Sequence, residues 1–414
     1  MCLAGAPRSR FRGVGPAFLF GTIAGRPWPF WWREGNGLCQ QDGFFTFVAL
    51  SVCQPLKKLR QFLSNFLKVS LPTLVVLWLL LELFFRWGIS ASERPDGDFD
   101  ADHLLVKFDS TAGEGTYTIG PFAGQQGRWH INNRGWNNLR HYQLGKSNKT
   151  RIAIIGDSFV ESFQVDVDKS FHHLMAQQLG DGYECYSFGW SGSPLSHYLH
   201  VGRYVKDTYQ PDIVVVNLVH NDFVQSLAEY NPYRGIFKTL DVGENIDEVD
   251  PVPYHLPWMK QVLKNSAVFR YLHYNLKFET QFRMLFDREA LVHDSLAYMK
   301  LMDQEEERIH RAATYSIEGL REVFADQRLI FVMDCPRPSV YAGKMEKDWQ
   351  YRYNQLAREL VTATGAEFID LADTMKEDFA KNQQPFNTEL DLHWNEYGHE
   401  VVARRLLQQL QLAP

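Results

Sequence analysis

Five short apolar runs set the frame of the chain from residue 151 onward, and helix-like stretches lie between them. The runs fall at 151–156, 183–188, 212–218, 329–333 and 367–371. The third reads Asp212-Ile213-Val214-Val215-Val216-Asn217-Leu218, the near-continuous pattern of a strand buried on both faces. Residues 169–179, 194–208 and 396–410 read as helices. Strand and helix in alternation predict a parallel sheet covered on both sides. Ordinary strand-to-helix connections are far shorter than the gap between the third and fourth runs, so 223–325 is predicted to be an insertion. Its second half, from 258, has helical spacing, and 303–325 should be the helix that crosses back. The remainder suits a cap over a site or an exposed pair of packing helices.

Upstream, residues 69–85 are apolar except for Ser70, Pro72, Thr73 and Glu82. Such a run is at the lower limit for a membrane-spanning helix, and Pro72 would sit in its first turn, where proline is tolerated. Lys57, Lys58, Arg60 and Lys68 precede it, and Glu93, Asp96, Asp98, Asp100 and Asp102 follow. Basic-before predicts a single-pass anchor at 69–87, with the N-terminus cytoplasmic and the rest extracytoplasmic. The alternatives are a cleaved signal peptide and a buried helix. The first has only Ser90-Ala91-Ser92 as a weak cleavage site, and the second lacks a polar face. Residues 1–68 read as a cytoplasmic leader with no foldable pattern, 88–102 as a polar linker, and 103–150 as an irregular lead-in to the catalytic domain, 103–414. Within that lead-in, 130–136 has turn chemistry.

Composition narrows the function classes. Apolar residues make up 45% and charged residues 22% of 414, as in a globular protein of one large or two ordinary domains. A net charge of −6 gives no reason to expect a nucleic-acid partner. None of the five cysteines forms a CxxC pair, which speaks against a zinc or redox site. Cys185 and Cys335 fall on strands that a 2-1-3-4-5 order would keep roughly 14 Å apart, beyond disulfide reach. Both are expected to be buried free thiols.

The candidate chemistry sits where the strands should end. The first run closes in Gly156-Asp157-Ser158, the second is followed by Gly189-Trp190-Ser191-Gly192, and the third by Val219-His220-Asn221-Asp222. Open α/β sheets bind ligands at that edge. A helix beginning at Ser158 would offer free N–H groups and a positive dipole end. The N–H of Ser158, the N–H of Gly192 and the amide of Asn221 could form an oxyanion hole. Near the C-terminus stands Asp391-Leu392-His393-Trp394. In an extended backbone residues i and i+2 point the same way, so Asp391 could orient His393 toward Ser158 as in a nucleophilic triad. Glu389 is the reserve acid. His220 is expected near the pocket, His399, His172 and His173 in structural places, and Trp190 and Trp394 beside the site, against a sugar ring or in packing.

In this set and order, the chain resembles the SGNH/GDSL hydrolase superfamily over about residues 103–410. Ser158, Gly192, Asn221 and His393 match its four name-giving residues. Val219 stands where the family's third block usually has Gly. The acid lies two residues before the histidine, and Leu390 occupies the more usual position. The Asp-x-His-Trp form is similar to the branch containing alginate O-acetylation proteins. The resemblance implies a flavodoxin-like three-layer α/β/α sandwich with a five-stranded parallel sheet of order 2-1-3-4-5. It implies a serine esterase that needs no cofactor or metal and removes small O-acyl groups, acetyl first among them, from a glycan or similar ester. Transfer of the acyl group to an exported or cell-surface polysaccharide by the same triad is the second reading. A glycan-binding protein with a vestigial site is the third.

Overall fold

The computed structural model describes residues 58–233, 235–253, 258–278 and 300–411. Most of the expected leader, and 279–299 of the insertion, lie outside the described residues. The chain forms two units, 1–71 and 72–414. One helix, Lys58–Trp87, has 30 residues and a mean hydropathy of 1.9 in its apolar window, long and apolar enough to cross a membrane. It begins well before residue 69, so Pro72 is internal and not in a first turn. A proline inside a helix removes a donor and crowds the preceding turn. Just ahead of it the backbone widens into a π turn, Phe66–Ser70, and the Leu71 N–H reaches back to the Phe66 carbonyl.

Eleven strands are described: β1 (Gly97–Asp100), β2 (Leu105–Phe108), β3 (Glu114–Ile119), β4 (Gln125–His130), β5 (Thr150–Gly156), β6 (Tyr183–Gly189), β7 (Ile213–Leu218), β8 (Thr239–Val242), β9 (Ile246–Val249), β10 (Arg328–Met333) and β11 (Glu367–Asp370). Five of them form the central sheet in the order β11-β10-β7-β5-β6, and every neighbouring pair is parallel. That is the 2-1-3-4-5 order that the family resemblance implies.

Alternate strand residues serve two cores. Ala153, Ile155, Val214, Val216 and Phe331 pack with the helices Leu195–Tyr209, Glu306–Val323 and Tyr351–Ala363. Ile152, Ile154, Val215, Ile330 and Val332 pack with Phe171–Leu179, Leu371–Asn382 and Glu396–Gln411. Val214, Val215 and Val216 are all fully buried, each contributing roughly 1.5–3 kcal/mol by leaving water. This is why the third run is apolar on both alternations. Cys185 and Cys335 are buried free thiols.

Residues 88–150 differ from expectation. The segment 88–102 is packed, not a free linker: Ala91 and Ser92 are buried and β1 pairs antiparallel with β2. The lead-in is likewise not irregular, because β3 and β4 form a hairpin. Phe108, Trp129, Ile131 and Phe163 make a small core beneath it. These strands are short and carry charges on their open faces, so their alternation is faint in sequence. In the insertion the crossing helix Glu306–Val323 forms as expected, while β8 and β9 make a hairpin in the first half, ahead of the stretch read as helical.

Candidate active site

The chain leaves β5 and crosses to β6 on one side and β7 on the other. A crevice therefore opens at their carboxyl ends. Ser158 follows β5, Gly192 follows β6, and Asn221 follows β7. All three line one cavity of about 630 Å³ with His393, His220, Asp157 and Arg337.

Ser158 starts a helix of only four residues, Ser158–Glu161, which ends at Ser162 with a left-handed φ of 57°. One turn adds little macrodipole, so what this helix offers is its unpaired N–H groups. The Phe159 N–H is taken by the Asp157 carboxylate at 3.0 Å. Burial pushes Asp157 up to about 6, against the pull of that N–H. The Ser158 hydroxyl lies 3.2 Å from Asp157 and 2.7 Å from His393 Nε2. The shorter contact aligns the hydroxyl with the imidazole.

His393 and Asp391 meet, though not through an extended backbone. Asp391 Oδ1 accepts the His393 backbone N–H at 2.8 Å and also the Nδ1–H of the same residue. This is a side-chain turn of the Asx kind, and it fixes the ring with Nε2 toward Ser158. Burial alone would lower the histidine, but the Asp391 bond and charge outweigh it and hold His393 above its ordinary 6.5. Burial likewise works against the Asp391 charge, yet the His393 contacts keep that carboxyl below its usual value. Glu389 is exposed.

The donors around the crevice are unevenly prepared. Gly192 adopts φ +82°, and a Cβ there would stand 2.3 Å from the Tyr233 ring. Its loop is held by Glu161, which accepts from the Ser191 N–H at 2.5 Å and the Ser191 hydroxyl at 2.7 Å. Asn221 donates its amide to Gln225 Oε1 at 3.1 Å. The Asn221 turn is set by Asp222, which accepts the Val219 N–H at 2.7 Å and the Tyr198 hydroxyl at 2.9 Å. Burial, reinforced by the charge on Asp157, pushes Asp222 well above the usual carboxylate range.

Sequence reading missed several residues. Arg337 bridges Asp334 and the Leu392 carbonyl, and Trp394 donates to Asp334 at 3.0 Å. Together they clamp the loop that carries His393. Arg94, from the presumed linker, lines the cavity with Tyr117 and Tyr233 and stands 3.5 Å from Glu161. Their one local signal was position: Asp334 and Arg337 directly follow the fourth run. Nothing in the sequence pointed to Arg94. Of the aromatics expected beside the site, Trp394 is wholly buried and Trp190 stacks on Phe108 at 4.2 Å, so both serve packing. His220 does line the pocket and bonds Asn354 at 3.0 Å. His399 is buried and accepts the Phe171 N–H, and His172 is buried.

A family model described as GDSL-like lipase/acylhydrolase matches residues 154–401. Solved structures of similar fold include a member of the lipolytic protein G-D-S-L family from Veillonella parvula, at 13% identity over 64% of this chain and 99% of that one, TM-score 0.35. An acetyl xylan esterase is similar at 14% identity over 63% and 98%, TM-score 0.37. A carbohydrate acetylesterase from Sinorhizobium meliloti is similar at 12% identity over 64% and 99%, TM-score 0.34. No curated protein matches the sequence.

Proposed function

The chain belongs to the GDSL-like lipase/acylhydrolase family and is a serine hydrolase acting on ester bonds; from that premise we propose a membrane-anchored extracytoplasmic esterase that removes small O-acyl groups, acetyl first among them, from a glycan or similar ester. One observation carries the reading: the relay in which Asp391 holds His393 Nδ1 and His393 Nε2 stands 2.7 Å from the Ser158 hydroxyl.

In this reading Ser158 Oγ attacks the ester carbonyl while His393 takes its proton. Asp391 keeps the tautomer and stabilises the imidazolium. The N–H groups of Ser158 and Gly192 receive the developing oxyanion, joined by the Asn221 amide once it leaves Gln225. His393 then protonates the departing alcohol. Water, deprotonated by His393, resolves the acyl-enzyme and returns the serine. The glycan and the acetyl group rest on the family resemblance, and the anchor on the helix Lys58–Trp87, whose apolar run 69–85 has basic residues before it and acidic residues after.

The test is p-nitrophenyl acetate turnover by the full chain in detergent micelles, beside Ser158→Ala and with acetylated and unacetylated oligosaccharides. We expect the variant to lose about a thousandfold or more of the rate and acetate to appear from acetylated sugar. Equal turnover in both proteins would remove Ser158 as nucleophile. Acetyl transfer to the unacetylated sugar would replace hydrolysis by transfer.

A further inference from the structure

The apolar run of the anchor contains one acid, Glu82, and a carboxylate facing lipid is costly unless it is paired. Here it is paired with protein. Its oxygens accept the N–H groups of Ala267 at 2.8 Å and Val268 at 3.2 Å, and the Ser266 hydroxyl at 2.9 Å. Arg86 bonds Glu82 at 2.6 Å and the Asn265 carbonyl at 2.8 Å. The last turns of the long helix are therefore fastened to the insertion, just past its short helix Trp258–Lys264. A span of 69–85 is about 25 Å long at 1.5 Å per residue, less than the roughly 30 Å of hydrocarbon it must cross. With Lys68, the last basic residue before the run, held at the other boundary, the bilayer edge falls at or beyond Phe85. Residues 266–268, bonded to Glu82, lie at that level or below it.

The neighbouring surface suits such a place. Trp258, Met259 and Val262 share one helix face and are 76%, 57% and 62% exposed. The other side of this helix is tied down by Lys264, which pairs with Asp96 at 2.6 Å. Phe85 stacks on Tyr271 at 4.0 Å, and the Tyr271 hydroxyl accepts the Phe122 N–H at 3.1 Å. Phe122 has a left-handed backbone, φ 57°, and a 78% exposed ring. A bulky residue held there costs on the order of 1–3 kcal/mol, and an exposed ring in water gives nothing back.

The same contacts lead to the active site. The Asn275 carbonyl accepts the Gly120 N–H at 3.0 Å. Gly120 is packed against Leu390, whose Cδ1 would lie 2.8 Å from a Cβ at that position. Asp391 and His393 follow Leu390 directly, and exposed Leu392 lines the cavity.

We propose that the face carrying Phe122, Trp258, Met259 and Val262 rests in the boundary of the bilayer that the anchor crosses, with Glu82 as its fixing point, so that the active-site mouth opens at headgroup level onto membrane-tethered esters. This rests on the anchor proposed above. The lipid surface is the occupant because the face is continuous with the membrane helix. Tryptophan and phenylalanine beside short aliphatics are also the side chains that interfaces accept.

The test uses the full chain in phosphatidylcholine vesicles, with Cys2, Cys39 and Cys53 replaced by serine. A single cysteine at Phe122→Cys, Val262→Cys or Asp326→Cys carries an NBD label. Asp326 precedes β10, at the sheet edge opposite Ser158. With nitroxide near the headgroup end of the acyl chains, we expect labels at 122 and 262 to be quenched roughly threefold or more above that at 326. Glu82→Gln should bring position 122 down toward position 326. If the protein resists alkaline extraction yet 122 and 262 are quenched no more than 326, the docked face is wrong and the anchor stands. Extraction by alkali overturns the anchor and the docked face together. Quenching at 122 unchanged in Glu82→Gln removes Glu82 as the fixing point.

Discussion

The inner wall and the outer rim of the cavity are built from different parts of the chain. The wall is made of strand ends, namely Ser158 after β5, the Gly192 loop after β6 and the Asn221 turn after β7. Each is pinned by a buried carboxylate, Asp157, Glu161 and Asp222 respectively. The rim comes from outside the sheet: Arg94 from the presumed linker, Tyr117 from the lead-in, Tyr233 from the insertion and Leu392 from the C-terminal loop. The wall is internally hydrogen-bonded, whereas Leu392 is largely exposed. Under the proposed mechanism this difference gives turnover to the wall and choice of ester to the rim. If so, changes in the wall should act on kcat and changes in the rim on KM.

The largest effect after loss of Ser158 itself should come from Asp391→Asn. The substitution keeps the size of the side chain but removes the charge and the tautomer control, and we expect kcat to fall on the order of a thousandfold or more. The pH profile sharpens the point. In the proposed mechanism His393 acts as a base only when neutral, and its pKa is held above 6.5 by Asp391. The wild-type rate should therefore fall on acidification with a midpoint above 6.5, and the residual rate of Asp391→Asn should fall at a lower pH. An unshifted acid limb would mean that another group controls it.

Gly192→Ala tests the wall at its tightest point. The backbone φ of +82° disfavours any Cβ, and this one would meet the Tyr233 ring at 2.3 Å. Stability should drop by about 1–2 kcal/mol and kcat by roughly 10- to 100-fold as the donor N–H turns away. Thermal melting beside steady-state kinetics separates the two. Full kcat in a folded variant would take Gly192 out of the oxyanion site.

Arg337→Lys probes the clamp on the histidine loop. Arginine spans Asp334 and the Leu392 carbonyl at once through its planar fork, and its guanidinium lies 5.2 Å from the Phe159 ring centre. Lysine keeps the charge but is a single point. A loss of about tenfold in kcat with KM little changed is expected, and restoring arginine should recover it. A KM effect alone would place Arg337 on the rim.

The wall was readable in the sequence because it follows the apolar runs. Once 151–156, 183–188 and 212–218 are strands of one parallel sheet, Ser158, Gly192 and Asn221 must emerge at one edge. The His393 loop was found from Asp391-Leu392-His393, although its geometry is an Asx turn and not a strand. The rim was not readable. Arg94 sits in a stretch of acids, glycine and proline that looks like a tether, and long-range contacts bring that stretch onto the domain: the antiparallel pairing of Gly97–Asp100 with Leu105–Phe108 and the bond of the Glu93 N–H to the Thr116 carbonyl. Pro72 misled for a related reason: a proline marks a helix start only when the residues before it are not helical, and Lys58 to Ser70 are.

Arg94→Gln is the mildest of these changes and the one that isolates the rim. Arg94 opposes Glu161 at 3.5 Å, a separation too long for a strong hydrogen bond, and part of its side chain faces the cavity. Glutamine removes the charge while keeping a polar stem beside Tyr117. Glu161 still holds Ser191 through two short bonds, so the Gly192 loop should stay in place and kcat should change by about twofold at most. KM for an ester carrying a negative group should rise several-fold, and KM for a neutral acetyl ester should not. Parallel losses in kcat for both substrates would show that Arg94 acts through Glu161 on the wall, and the division between wall and rim would then fail at this residue.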